Sequence, residues 1–143
     1  MKPKASILDP EYTYSVPKNQ TADIMSHIFG NYFSHTQGVG LAILTPHWMK
    51  YSLDDTTVNK FAQYGINVWN IDKNLENFEI ANIAIEKTTQ FFKELGIPST
   101  LREVGIEEEK FEIMAKKAMN PYFKYAFKPL DENNIINIFK AAF

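Results

Sequence analysis

"NFEIANIAIEKTTQFFKELG", residues 77–96, repeats its apolar side chains at helical steps. Ile80, Ile83, Ala84, Phe91 and Leu95 fall along one side of a helix, whereas a strand would alternate apolar and polar positions. Gly96 stands where the helix should end, and Pro98 follows two residues later, a pairing that stops helices. A long amphipathic helix cannot bury its apolar face alone, so the fold class depends on what its neighbours are.

The neighbouring stretches also read as helices. "GVGLAILTPHWMKYSL" (38–53) is apolar on all sides, which predicts a buried helix kinked or broken at Pro46. "DDTTVNKFAQYGINVW" (54–69) opens with a cluster of N-cap residues and sets Val58, Phe61, Ala62 and Val68 on one side. Thr100 to Gly105 holds a short helical turn. "EEEKFEIMAKKAM" (107–119) carries acids at its front and lysines near its end, the order the helix dipole favours. "DENNIINIFKAAF" (131–143) starts on Asp131 as N-cap and turns Ile135, Ile138 and Phe139 inward. Before these, Ile24 and Ile28 give a helical face from Thr21 onward, weakened at Gly30, while "ASIL" (5–8), closed by Asp9-Pro10, reads as a short strand or extended arm. The expected fold is all-α, with about five or six helices behind a short extended N-terminal strand. Residues 1–20 form an arm or linker and residues 21–143 one helical domain.

Composition narrows the function classes. The chain has 143 residues, enough for one hydrophobic core, with a net charge of −2 and no basic stripe. Nucleic acid is therefore not an expected partner. Cysteine is absent, which excludes disulfides, thiolate metal sites and cysteine nucleophiles, and fits a reducing cytoplasm. No apolar run is long enough to span a bilayer, and the first residues lack the apolar core of a secretory signal. The aromatic stretch 119–130, with Lys124 and Lys128, has the interleaving of a base-stacking surface but not the supporting basic field. Trp48 and Trp69 suit a core or an interface.

One pair of residues carries chemistry. "TADIMSH" (21–27) places Asp23 and His27 four apart, roughly 6 Å between Cβ atoms on a helix. An oxygen and an imidazole nitrogen so placed can aim at one divalent ion such as iron or zinc. The same spacing equally describes an exposed acid and an ordinary histidine sharing a face, and two ligands do not make a site. His35 lies two turns beyond His27, about 12 Å by helical rise, so it is a weak third candidate unless the chain bends back after Gly30. His47, next to Pro46 and Trp48, reads as a partly buried, hydrogen-bonded histidine. No catalytic residue emerges, and no G-x-G-x-x-G turn for a dinucleotide occurs.

Several stretches resemble a known family. "PKASILDPEYTYSVPKNQTADIMSHIFGNYF", "GVGLAILTPHWM", "YGINVWNID" and "LGIPSTLREVGIEEEKFEIMAKKA" are similar, in the same order, to the iron-containing (group III) alcohol dehydrogenases, above all the butanol dehydrogenase branch. The resemblance covers nearly the whole chain. It implies a helical C-terminal domain that holds a metal ion through one Asp and three His, beside a nucleotide domain that binds NAD(P)H. It implies a metal that polarises the aldehyde carbonyl, or the alcohol oxygen in reverse, while hydride passes to or from the nicotinamide. Asp23 and His27 match the Asp and first His of that ligand set.

The chain departs from the family at three points. Nothing before Ala5 supplies a strand, a glycine-rich turn and a helix, so these residues alone should not hold NAD(P) in the family's manner. "NYFSHT" runs almost directly into "QGVGLAIL", where the family has a long helical stretch with its second metal histidine. The family's last ligand histidine is replaced by Gln37, whose neutral amide oxygen is a weak ligand beside imidazole. The expectation is a truncated, internally deleted relative that binds Fe or Zn weakly through Asp23 and His27 and is inactive as an isolated chain. The rival expectation is a non-catalytic helical module whose uncovered apolar faces drive self-association. A separate nucleotide-binding domain is the other expected partner, and a membrane is not.

Overall fold

The computed structural model describes residues 37–119 and 127–143. The expected strand at 5–8, the arm or linker and the helix carrying Asp23 and His27 lie outside the described residues. Within them the fold is all-α: α1 (Gln37–Ser52), α2 (Val58–Trp69), α3 (Asn77–Glu94), α4 (Phe111–Ala118) and α5 (Glu132–Ala141). Single 3-10 turns at Arg102–Val104 and Glu108–Lys110 link α3 to α4.

α1 is the central element. Its apolar residues point in every direction, and the structure covers most of them: Ala42, Ile43, Leu44 and Met49 are all buried. Ile43 and Leu44 join Leu101, Ile106, Phe111, Met114, Ile135, Ile138 and Phe139 in the main core, built by α4, α5 and the connection before them. Met49 meets Val58, Phe61, Ala81 and Ile85 from α2 and α3 in a second cluster. Of the kink or break expected at Pro46, the break does not occur: α1 runs through it without interruption. Proline removes one backbone donor and crowds the preceding turn. Here burial on both sides of the helix outweighs that local cost.

Among the described residues, α2 and α3 make the most extensive helix pair. Gly65 allows it: a Cβ at this position would lie 2.8 Å from Ile80 Cγ2 and 3.1 Å from Ala84 Cβ. The inward position in the last turns of α2 thus belongs to Gly65 rather than to Val68, which is only half-buried. Ile80 and Ala84 pack as the helical spacing predicted, and Phe91 packs edge-on against Trp69 at 6.2 Å between ring centroids. Leu95, expected on the inner face, is 59% exposed. Trp69 ends α2 and reaches Phe91, so the following turn of α3 lies beyond the end of its partner. Thr88 fills the intervening buried position and satisfies its hydroxyl locally, through the Ala84 carbonyl (2.8 Å) and Tyr64 Oη (2.7 Å).

Helix ends follow the predicted chemistry. Gly96 adopts φ +74°, and its N–H donates to the Lys93 carbonyl while Ile97 N–H donates to Phe92, closing α3. Asp131 caps α5 by accepting from Asn134 N–H, and the Asn134 side chain returns a bond to Asp131 N–H.

Candidate functional site

Of the residues singled out for metal chemistry, Asp23, His27 and His35 lie outside the described residues. Gln37 opens α1. That placement puts the substituted position at the head of the central helix, one turn before Leu41.

His47 sits ten residues further along α1, half-buried, in the wall of a small pocket formed with Ala42, Ile43, Pro46, Thr89, Phe92, Pro98 and Ser99. Burial holds its pKa below the ordinary imidazole value, and the Lys50 ammonium on the next turn adds to this, so the ring is neutral at pH 7. The sequence predicted a hydrogen-bonded histidine. Its partial burial is as predicted, and no hydrogen bond to its ring comes from the described residues. Among the described residues that line the pocket there is no carboxylate and no second imidazole. Among the described residues, no group of three or more His, Cys, Asp or Glu side chains is arranged to hold a metal ion. The donor set required for a divalent ion is therefore not met by these residues.

A dense polar cluster among the described residues is structural. Asp54, in the turn between α1 and α2, accepts at Oδ1 from Thr56 N–H (2.9 Å), Thr56 Oγ1 (2.6 Å) and Thr57 N–H (3.1 Å). Its Oδ2 accepts from Lys128 Nζ at 2.7 Å. Thr57, buried, donates its hydroxyl to the Ser52 carbonyl and so ties the end of α1 to the start of α2. The N-cap cluster at 54–57 was legible in the sequence. Its partner was not, because Lys128 stands 74 residues away in an aromatic stretch that gave no sign of pairing.

This cluster has a pH signature. The Lys128 ammonium, followed by the Thr56 hydroxyl, holds the Asp54 carboxyl well below the usual carboxylate range. A carboxyl with a depressed folded-state pKa stabilises the fold above its unfolded value of about 3.9, and that contribution is lost as pH falls further. Urea midpoints measured from pH 6 downward should therefore drop more steeply for the natural chain than for Asp54→Asn. Parallel acid limbs would show that the pair contributes nothing. Partial exposure of both side chains, 28% for Lys128 and 39% for Asp54, keeps the effect small and sensitive to salt.

No helix among the described residues is long and apolar enough to cross a membrane. Comparison with known proteins places the chain. Residues 18–143 match the profile described as "Fe-containing alcohol dehydrogenase family, C-terminal". The whole chain aligns with NADH-dependent butanol dehydrogenase A of Clostridium acetobutylicum at 37% identity, covering 57% of that protein. Butanol dehydrogenase B of the same organism matches 98% of the chain, also at 37% identity, over 56% of its own length. The chain thus spans little more than half the length of these relatives. Its 143 residues are spread over a 222-residue alignment with butanol dehydrogenase A, so about 79 positions of the aligned region (222 − 143) have no counterpart here. In three dimensions, a 1,3-propanediol oxidoreductase superposes on 87% of the chain with a TM-score of 0.76 and 30% identity, using 32% of its own length. An NADH-dependent butanol dehydrogenase A from Thermotoga maritima, 23% identical, shares the fold with a TM-score of 0.71 over 85% of the chain and 32% of its own. A cysteine-free helical domain centred on "GVGLAILTPHWM", matched along its full length by butanol dehydrogenases, belongs to the iron-containing alcohol dehydrogenase family, as a C-terminal domain of its butanol dehydrogenase branch.

Proposed function

We propose that this chain derives from an NAD(P)H-dependent, iron-containing dehydrogenase that interconverts short-chain alcohols and aldehydes, and that its 143 residues alone do not carry out that reaction. The observation that supports this most directly is the interrupted alignment. Identity of 37% extends over the entire chain, yet the matching region of the relative is 222 residues long. We place the interruption between "NYFSHT" and "QGVGLAIL", where the family resemblance implies a helical stretch of the metal-binding domain. Gln37 at a family histidine position weakens the donor set further, and the described residues do not assemble a replacement. Asp23 and His27 remain as two ligands, enough for weak binding of iron or zinc. The sequence also contains no G-x-G-x-x-G turn, so NAD(P) would have to be held by a separate nucleotide-binding domain. We place the protein in the cytoplasm, in keeping with the absence of cysteine.

The test is a direct assay. The purified chain, supplied with butanal, NADH or NADPH, and ferrous iron or zinc, is expected to consume no reduced cofactor above the buffer rate. Measurable turnover overturns the proposal. Metal analysis of the same preparation, beside Asp23→Ala and His27→Ala, should show substoichiometric metal that both substitutions remove.

A second reading, a non-catalytic module that associates with itself, is favoured by one feature of the surface. Ile113 is 50% exposed and Met119 40% exposed, on α4 and immediately after it. Exposed apolar side chains such as these would be covered in a self-associated form. Sedimentation at rising concentration is expected to show a dimer under this reading, and a monomer throughout would eliminate it.

A further inference from the structure

Pro46 changes the hydrogen bonding of α1 at one place. Having no N–H, it cannot donate to the carbonyl of Ala42, four residues earlier. The helix continues nonetheless, so that carbonyl loses its usual partner inside an otherwise regular, buried segment. Buried backbone carbonyls are rarely left without a partner.

The pocket described above lies at this point. Ala42 and Pro46 form part of its wall, together with His47, Thr89 and Ser99. Its volume is about 20 Å³, and a site of roughly 10–15 Å³ on this measure admits one water molecule. The remaining lining is apolar: Ile43, Phe92 and Pro98. A single water also needs two to four polar partners. Thr89 Oγ1 donates its proton to the Ile85 carbonyl at 3.0 Å, which leaves an oxygen lone pair to accept. Ser99 uses its backbone N–H toward Glu103 Oε2, and its hydroxyl can both donate and accept. The neutral imidazole of His47 offers one donor and one acceptor nitrogen.

We infer that this pocket is a structural water site: one water, held between the carbonyl released by Pro46, the His47 ring and the hydroxyls of Thr89 and Ser99, completes the hydrogen bonding of α1 at its proline. The water donates to the Ala42 carbonyl and to one further acceptor, and accepts from the Ser99 hydroxyl or the imidazole N–H. It joins three segments that are distant in sequence: the middle of α1, the last turns of α3 and the connection that follows Gly96. The site explains why a proline, an imidazole with no hydrogen-bond partner among the described residues and two hydroxyl residues occupy one corner of an otherwise apolar interface. It concerns the stability of the domain and does not rest on the proposed dehydrogenase ancestry.

A crystal structure of the chain that resolves ordered solvent is the first test. One water is expected within about 2.7–3.2 Å of at least three of these groups. A pocket closed by side-chain movement, or a water touching a single polar group, overturns the inference. Magnetic-relaxation and water–protein NOE measurements in solution supply the second readout. A long-lived water should give cross-peaks to His47 and Thr89 protons. Thr89→Val keeps the shape and removes one polar partner, and should weaken those cross-peaks while the helical signal is unchanged. Undiminished cross-peaks in this variant would show that Thr89 does not hold the water.

Discussion

Phe139→Ala is expected to cost about 3–5 kcal/mol, the usual penalty for deleting a buried aromatic ring without collapse of its surroundings. The ring is fully buried, and it packs against Phe111 at 5.8 Å between centroids. Around it lie Ile43 and Leu44 of the central helix and Leu101 before α4, so the space it vacates is bounded by residues from several elements. None can move into the gap without abandoning another contact. A domain of this size has about 5–15 kcal/mol to lose, so the variant should be close to unfolding at 37 °C. Phe143→Ala is the internal comparison. That ring is half-buried and stacks edge-on to Phe111 at 5.5 Å, with the Arg102 guanidinium 4.2 Å from its centre. Its removal should cost about 1–2 kcal/mol, since only part of its area leaves water on folding. Urea unfolding followed by circular dichroism distinguishes the two. Equal losses would mean that the main core is not centred where α4, α5 and α1 meet.

Gly65→Val should also destabilise the domain, by the opposite route. A side chain here begins 2.8 Å from Ile80 Cγ2 and 3.1 Å from Ala84 Cβ and Ile71 Cδ1, distances at which the neighbours have to give way. Ile80 and Ala84 are themselves fully buried, so α2 and α3 must separate. Overpacking of this kind costs about 1–3 kcal/mol, and the small gain in helix propensity over glycine does not offset it. The cost should depend on Ile80 in particular. Ile80→Ala removes the atom nearest the new side chain, so the double variant should lose less than the sum of the two single losses. Strict additivity would place the strain elsewhere. The same experiment reports on the helix pair as a unit, because Trp69 with Phe91 and Tyr64 with Thr88 depend on the approach that Gly65 allows.

These two positions also show where local pattern was informative. Ile135, Ile138 and Phe139 face inward as their spacing predicts, and Asp131 caps the helix that carries them. For α5, one side apolar and one side polar leaves only one orientation on a core. Gly65 gave no such signal. In sequence, a glycine inside a helical pattern merely lowers propensity, and its role appears only when Ile80 and Ala84 are brought against it.

Sequence alone was enough for the fold class, the ends of α3 and α5, and the family resemblance, since each is written in short-range spacing or in runs of residues read in order. Asp54 and Thr57 at a helix start, and Gly96 with Pro98 at a helix end, act on backbone groups within a few residues and need no distant partner. Tertiary structure alone decided the unbroken course of α1 through Pro46, the exposure of Leu95, the pairing of Lys128 with Asp54, and the pocket around His47. In each of these the deciding group comes from another part of the chain. Burial on several sides outweighs a local propensity of a few kcal/mol, and a charge or an imidazole takes its state from whichever residues the packed helices set beside it.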